Sequence, residues 1–175
     1  MEQLFEMDLH DYEAGDSVFR RPSARGIIFD DCGRIALVYS QIEKYYKFPG
    51  GGIREGEDKK EALIREVREE TGLIVIPDSI EEFGSVLRRQ KSIVAPHTIF
   101  EQENFYYTCR VESRIAEQNL DDYEEKAGFV LRFVYLDEAI RVNARYSTED
   151  YFDEIMIRRD TKLLQLIKEK IEESL

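Results

Sequence analysis

The stretch Gly50–Leu73, GGGIREGEDKKEALIREVREETGL, decides the fold. Three consecutive glycines are followed by a segment that holds seven acidic and five basic residues. Residues 58–70 are predicted to form a helix, because Gly72 stands just past their end, where a left-handed cap residue is expected. The glycine run before the helix predicts a loop whose backbone another group can approach closely, because no side chain intervenes.

Three carboxylates crowd one face of this predicted helix. Glu66, Glu69 and Glu70 are related by i, i+3 and i+4, and like charges at these spacings destabilise a helix. Such local conflicts tend to mark functional sites. Mg²⁺ takes oxygen ligands in this way and keeps water and phosphate as further partners, so the cluster favours a Mg²⁺ site, with Mn²⁺ as an alternative ion. The competing interpretation is a solvated helix face neutralised by Arg65 and Arg68.

The same residues resemble the signature of the Nudix hydrolases, a MutT-like family, G-x5-E-x7-R-E-U-x-E-E-x-G-U with U aliphatic. Gly51 opens the pattern, Glu57 follows, and Arg65 to Leu73 fill the remaining positions without a gap. We call Gly51–Leu73 the box. The segments KFPGGGIREGE and RFVYLDEAI extend the resemblance. It implies the Nudix fold, an α/β/α sandwich around a mixed β-sheet.

The resemblance also implies roles for the box residues. Glu66, Glu69 and Glu70 match the metal-binding glutamates, and the backbone carbonyl of Gly51 can join the metal shell. Glu66 is the position that in some members acts as general base, and Arg65 orients it. We therefore expect Glu66, Arg65 and Glu69 to act in catalysis.

Two further box residues are expected to have structural roles. Glu57 matches a glutamate that is often paired with Arg65 and fixes the loop on the helix. Gly72 ends the helix.

The activity implied by the resemblance is hydrolysis of a phosphoanhydride bond in a nucleoside diphosphate linked to another group. The substrate class includes nucleotide sugars such as ADP-ribose and nucleoside triphosphates. Metal ions would neutralise the diphosphate and lower the pKa of a bound water, and a carboxylate would take the proton. The alternative is a Nudix module that senses a nucleotide without cleaving it.

Residues outside the box are less tightly defined by the sequence. A further acidic metal ligand is expected from the segment before the last predicted strand, at Glu124 or Glu125, against the alternative of a solvated acidic loop. We assign Glu125 to substrate binding. Glu101 and Glu103 are weaker alternatives.

Aromatic and basic residues supply the candidate substrate contacts. Tyr46, next to Tyr45, could stack on a base, although tyrosines in such a place also serve as packing residues. Arg88, Arg89 and Lys91 lie along a predicted strand and could meet phosphates. Alternation points Arg88 and Arg89 to opposite faces, so at most one of the two would do so, and we assign Arg88.

The composition bounds the class of protein. The chain has 175 residues and a formal charge of −12, from 37 acidic and 25 basic residues. This balance argues against general affinity for extended nucleic acid or anionic membrane. We expect one domain over 1–175, a cytoplasmic protein without a signal peptide or membrane span, and a small nucleotide as partner. The family resemblance also allows a homodimer. Cys32 and Cys109 are predicted to be core residues in strands.

The remaining elements are predicted from apolar periodicity and turn residues. Residues 1–22 are expected to form an N-terminal arm or edge strand, and 148–175 a C-terminal helical segment. A hairpin, a loop, four further strands and a short helix are predicted between them, at 27–39, 42–52, 73–76, 83–89, 105–111, 129–135 and 137–145.

Overall fold

The computed structural model of the protein describes residues 1–174 and contains, in that range, eleven strands, four α-helices and a 3₁₀ turn at Pro77–Ser79. The strands are β1 (Gln3–Asp8), β2 (Ser17–Arg20), β3 (Ser23–Ile27), β4 (Ile35–Ser40), β5 (Tyr46–Lys47), β6 (Gly50–Gly52), β7 (Leu73–Val75), β8 (Glu81–Lys91), β9 (Thr98–Thr108), β10 (Val111–Ile115) and β11 (Phe129–Val134). The helices are α1 (Lys59–Thr71), α2 (Asp122–Ala127), α3 (Leu136–Ala144) and α4 (Tyr151–Glu173).

The main sheet is mixed. Its strand order is β1-β8-β9-β3-β6, and β2 pairs with the first half of β9. The pairs β1/β8, β2/β9 and β3/β9 are parallel, whereas β8/β9 and β3/β6 are antiparallel. A smaller antiparallel sheet has the order β11-β4-β5, and β7 pairs with β10. The predicted α/β class with a mixed sheet is therefore confirmed.

Side-chain alternation along β9 creates a core on each face of the main sheet. Phe105, Tyr107 and Cys109 belong to the cluster that contains the apolar side of α1. Tyr106 points the other way and belongs to the cluster that contains Leu163 of α4. This period of two places helices on both sides, as in a sandwich of three layers.

Helix α1 begins and ends at residues that suit those positions. The side chain of Asp58 accepts hydrogen bonds from the backbone N–H of Lys60 at 2.8 Å and of Glu61. Gly72 is the left-handed cap at φ 76°, and a Cβ there would lie 2.1 Å from the carbonyl oxygen of Ala116. Only glycine fits that close approach. The bounds predicted for this helix are confirmed to within a residue.

A polar layer separates the main sheet from α4. We call it the arginine layer: Arg25, Arg88 and Arg159 lie there with Asp160, and none of the four is more than 6% exposed. The Nε of Arg159 donates to Asp160 Oδ1 at 2.8 Å. Asn104 Oδ1 accepts from Arg159 Nη1 at 2.7 Å and from Arg25 Nε at 3.2 Å. Asp160 thus pairs with Arg159, while Arg25 and Arg88 donate to neutral oxygens, among them those of Asn104 and Gln90.

The two ends of the chain join the sheet and the second helical layer. Residues 1–22 contain β1, at the edge of the main sheet, and β2. The predicted helical segment 148–175, whose last residue lies outside the described residues, contributes α4, which packs on α3 and on the sheet. Among residues 1–174, no helix is both long and apolar enough to cross a membrane.

Two predictions about local structure are wrong. The predicted loop 42–52 contains β5 and β6, because the Gly50–Gly52 backbone pairs with β3. The segment before the last strand, for which a solvated acidic loop was the alternative, forms α2, whose start is fixed by a capping box between Asp121 and Glu124. Cys32 lies exposed in a turn, whereas Cys109 is buried as predicted.

The predicted hairpin at 27–39 also differs from the structure. Its two strands, β3 and β4, belong to different sheets. An isolated bridge between Phe29 and Ile35 connects the two strands at the turn. The chain therefore changes sheets where a single hairpin was expected.

Candidate active site

One arginine ties the glycine loop to helix α1. The guanidinium of Arg65 donates to both oxygens of Glu57, at 2.7 and 2.9 Å, and to the carbonyl oxygen of Gly52 at 3.0 Å. Its Nη1 also contacts the carboxylates of Glu66 and Glu69. All the donor directions of this side chain are directed to the box, and the forked pair with Glu57 gives it one orientation.

The Arg65–Glu57 pair shifts the protonation of both partners. The hydrogen bonds from Arg65 lower the pKa of Glu57 to about 2. Glu57 in turn raises the pKa of Arg65. Both groups are therefore charged at neutral pH. Glu57 and Arg65, which the resemblance predicted to pair, are thus hydrogen-bonded in the structure.

Glu66 lies directly against the backbone of Gly51. A Cβ at Gly51 would come within 2.3 Å of Glu66 Oε2, so any side chain there would displace the carboxylate. The side chain of Glu66 is 15% exposed, and burial raises its pKa. A residue without a side chain is thus required at position 51, because the Glu66 carboxylate occupies the place that a Cβ would take.

Glu70 is the most buried of the three box glutamates, at 1% exposure. One of its oxygens accepts from the backbone N–H of Gly50 at 2.8 Å, and the other accepts from the ammonium of Lys47. Lys47 also lies over the ring of Phe129, 4.5 Å from its centroid. Lys47 is a site residue that the sequence analysis missed. Its signal is a charged residue inside the apolar run YYKF of a short strand.

Helix α2 brings Glu124 toward this site. Burial raises the pKa of Glu124 to about 7, and the carboxylate of Glu70, within hydrogen-bonding reach, adds to the shift. The neighbouring Glu125 is exposed and makes no side-chain hydrogen bond among residues 1–174. Adjacent residues on a helix point about 100° apart, so only one of the two can face Glu70. The structure favours Glu124 over Glu125.

The other predicted substrate contacts lie inside the molecule. Tyr46 is 2% exposed, and its ring packs 4.7 Å from that of Tyr39, which favours the packing role. Arg88 is 1% exposed in the arginine layer, and burial lowers its pKa to about 9. Arg89 points to the opposite face, as predicted, and pairs with Glu101 at 2.7 Å.

The last turn of α1 is capped by a distant segment. The carbonyl oxygen of Glu69 accepts from the backbone N–H of Asn119 at 2.8 Å, and that of Glu70 accepts from the Gln118 side chain. These bonds satisfy carbonyl groups that a free helix end leaves unpaired. The segment 116–119 therefore helps to fix the two glutamates, and no motif in the sequence marks it.

The donor set suits a hard divalent ion. Glu66, Glu69 and Glu70 offer carboxylate oxygens, the ligands that Mg²⁺ prefers. Within residues 1–174, no three acidic, histidine or cysteine side chains converge on one point. The carboxylates of Glu66 and Glu69 contact Arg65, and that of Glu70 contacts Lys47.

A cavity of about 510 Å³ flanks the exposed side of α1. It is within the size range of small-molecule sites. Its lining residues come from α1 and from the capping segment; they are Glu61, Ile64, Arg65, Arg68, Glu69, Glu117 and Asn119. The arginine that holds Glu66 thus also faces a space in which a ligand can lie.

Solved structures share this fold. A MutT protein from Bacillus halodurans superposes with a TM-score of 0.53 and 20% identity over 79% of this chain and 80% of its own. A NUDIX hydrolase from Nitrosomonas europaea gives a TM-score of 0.53 and 21% identity over 81% and 89% of the two chains. At these identities the similarity concerns the fold.

Curated relatives match mainly around the box. "Nucleoside diphosphate-linked moiety X motif 6" of Mus musculus is 34% identical over 92 residues, or 51% of this chain and 27% of that protein. "RNA pyrophosphohydrolase" of Halorhodospira halophila is 41% identical over 58 residues, or 33% and 32% of the two proteins. The matched region thus spans about a third or less of each relative.

A family model described as the NUDIX domain matches residues 19–154. The match begins in β2 and ends in the first turn of α4, so it includes the box and the sheets that support it. This is well over half of the chain, and the chain therefore belongs to the Nudix family.

Proposed function

We propose that the protein is a Mg²⁺-dependent pyrophosphohydrolase that cleaves a phosphoanhydride bond in a nucleoside diphosphate linked to another group. The observation that carries this proposal is the contact of Glu66 with Gly51 under the guanidinium of Arg65. It combines an oriented carboxylate with a backbone that has no side chain to exclude a phosphate. A merely solvated helix face would need neither feature.

The side chains would divide the reaction as follows. Glu66, Glu69 and Glu70 would hold Mg²⁺, with Mn²⁺ as an alternative, and the ion would neutralise the diphosphate and lower the pKa of a water molecule. Glu66 accepts the proton of the attacking water. Burial raises the pKa of Glu66, which makes it a stronger base than an exposed carboxylate.

Arg65 and Lys47 act on the carboxylates rather than on the substrate. Arg65 restricts Glu66 to one orientation through its contacts with Glu57 and the Gly52 carbonyl. Lys47 neutralises Glu70 inside the protein. Glu124 lies beside Glu70 and is our candidate for the ligand outside the box.

The names of the relatives set the range of substrates to test. One is named for nucleoside diphosphate-linked moieties and another for RNA pyrophosphohydrolysis. The charge of −12 disfavours extended nucleic acid, so we propose a small nucleotide such as ADP-ribose or a nucleoside triphosphate. We also propose that the protein works in the cytoplasm as one domain.

A substrate panel tests this function. Phosphate or nucleotide release is measured with one substrate from each class: ADP-ribose, a nucleoside triphosphate, NADH, a dinucleoside polyphosphate and a short 5′-triphosphate RNA. We expect turnover of at least one substrate in Mg²⁺ and its loss in a chelator. Tight nucleotide binding with no turnover in Mg²⁺ or Mn²⁺ would instead identify the sensing module.

A further inference from the structure

Lys47 is a buried lysine inside the candidate active site. It belongs to β5, and its ammonium contacts Glu70 Oε1 and lies over the ring of Phe129. Within residues 1–174, its one ion pair is the pair with Glu70. Lysine side chains are almost never fully buried unless they are paired with an opposite charge. The position of this ammonium is therefore set by the carboxylate that it faces.

Glu70 depends on the same contact. Its carboxylate is buried, so water does not solvate the charge, and its oxygens need partners from the protein. Oε2 accepts from the backbone N–H of Gly50 at 2.8 Å. Gly50 is itself fixed against β3, because a Cβ there would lie 2.2 Å from the carbonyl oxygen of Ala24. Oε1 is thus the oxygen whose partner is a side chain and not the backbone.

The two cations of the site are held in different ways. Arg65 donates to Glu57 and to the carbonyl of Gly52 as well as to box glutamates, so its planar fork has one orientation. The ammonium of Lys47 has three donors, and within residues 1–174 it makes one hydrogen bond, to Glu70. It stands at the end of a flexible four-carbon chain. Lys47 can therefore leave Glu70 without breaking any other hydrogen bond of its side chain.

We propose that Lys47 is a displaceable counter-ion of Glu70, which competes with Mg²⁺ for this carboxylate and so sets the affinity of the site for the ion. Two cations drawn to one oxygen repel each other there. Lys47 keeps the buried carboxylate paired while no ion is bound, and it gives up the contact when Glu70 serves as a ligand. The inference rests on the proposed function and adds what controls the loading of its metal site.

Displacement does not leave the ammonium without partners. Glu124 lies beside Glu70, close enough for the charge of Lys47 to act on its carboxylate. The ring of Phe129 faces the ammonium from 4.5 Å, and the face of an aromatic ring attracts a cation. Lys47 therefore has two further partners within reach when it leaves Glu70.

Titration with MgCl₂ in a calorimeter tests the competition without any substrate. Lys47→Gln keeps an N–H donor for Glu70 and removes the charge. We expect this variant to bind Mg²⁺ about tenfold more tightly than wild type, because the competing cation is gone. A lysine with a merely structural role would leave the affinity unchanged. Binding by Lys47→Gln that is no tighter than that of wild type would overturn the proposal.

Lys44→Gln is the matched control. Lys44 precedes Lys47 by three residues, is exposed, and makes no ion pair within residues 1–174. The substitution changes the net charge by the same amount, at a site where solvent and salt screen the charge. We expect its affinity for Mg²⁺ to stay within about twofold of wild type. A tenfold gain in this variant as well would assign the effect to net charge and contradict a role for the contact with Glu70.

Thermal unfolding tests the pairing role of Lys47. Lys47→Met removes both the charge and the donor, so the melting temperature in EDTA should fall by about 5–10 °C. Saturating Mg²⁺ should close more than half of the gap to wild type, because Glu70 then has an ion as partner. A gap as wide in Mg²⁺ as in EDTA would mean that Lys47 only fills space. If Lys47→Met does not fold, the calorimetric comparison with Lys47→Gln still decides the question.

This inference and the proposed function fail in different ways. Turnover in Mg²⁺ by a protein whose affinity for the ion is the same in Lys47→Gln would refute the counter-ion and leave the hydrolase standing. Tighter binding of Mg²⁺ by Lys47→Gln, in a protein that turns over none of the substrates, would support the counter-ion and refute the hydrolase.

Discussion

The box and the arginine layer are two regions of unbalanced charge on opposite faces of one sheet. At the box, four glutamates surround Arg65 and Lys47, and Glu69 remains 31% exposed at its side chain. In the layer, Asp160 pairs with one of three arginines, and Arg159 and Asp160 are fully buried. Charge excess within reach of solvent can be relieved by an ion or a substrate. Charge excess in the interior must be balanced by the chain itself.

The largest effect is expected where that internal balance depends on one residue. Asp160 accepts from Arg159 and from the backbone N–H of Phe48, so Asp160→Asn leaves the buried Arg159 without its carboxylate and removes a negative charge that also acts on Arg25 and Arg88. We expect a loss of about 3–5 kcal/mol in the free energy of unfolding, measured by urea denaturation. Glu154→Gln, at an exposed position of the same helix, is the control. A change below about 0.5 kcal/mol would remove the contrast between the regions.

At the box, the expected loss is catalytic. Glu66→Gln removes the proposed base and should lower kcat at least about a hundredfold, or roughly 2.7 kcal/mol. The melting temperature should not fall, because the substitution removes one of several like charges. Glu55→Gln, exposed in the same loop, should keep wild-type turnover. Wild-type rates in Glu66→Gln would mean that another group takes the proton.

Glu57→Gln tests the ion pair that holds the box loop. Loss of the charged hydrogen bonds to Arg65 should cost about 1.5–2 kcal/mol at pH 7. The pKa of Glu57 is lowered from 4.5 to about 2 in the folded protein, so its stabilisation is present above pH 4.5 and is lost as the pH falls toward 2. Denaturation curves of wild type and variant should converge over that range. A difference that is independent of pH would assign the cost to packing.

The smallest effect is stabilisation by the ion. Mg²⁺ at about ten times its Kd should add roughly 1.4 kcal/mol and raise the melting temperature by a few degrees. Asp160→Asn should retain this increment from a lower starting point, whereas Glu66→Gln should lose most of it. An increment that survives in Glu66→Gln would place the ion elsewhere.

The sequence predicted the box far better than its surroundings. Helix α1, its cap at Gly72 and the Arg65–Glu57 pair follow from residues close together in the chain, where spacing defines geometry. Lys47 and Glu124 reach Glu70 from two other segments, so spacing within the box contains no information about them. Tertiary packing decides such contacts.

The arginine layer was not predicted for the same reason. Its members come from β3, β8 and α4, and each looks in isolation like an ordinary surface arginine. Arg88 illustrates the limit. Alternation separated it correctly from Arg89, but no local pattern shows that α4 covers it. Its burial follows from the position of a helix more than sixty residues later.

The hydrogen bonds from segment 116–119 to the end of α1 matter for the interpretation of sequence variants and for the transfer of the box to other proteins. Asn119 and Gln118 hold the backbone of Glu69 and Glu70, yet they lie in a stretch that a motif search passes over. A substitution there should lower activity as a change in the active site would, although its position suggests a neutral loop variant. A box transferred to another protein without these hydrogen bonds would have the correct motif, but its glutamates would not be held in the correct positions.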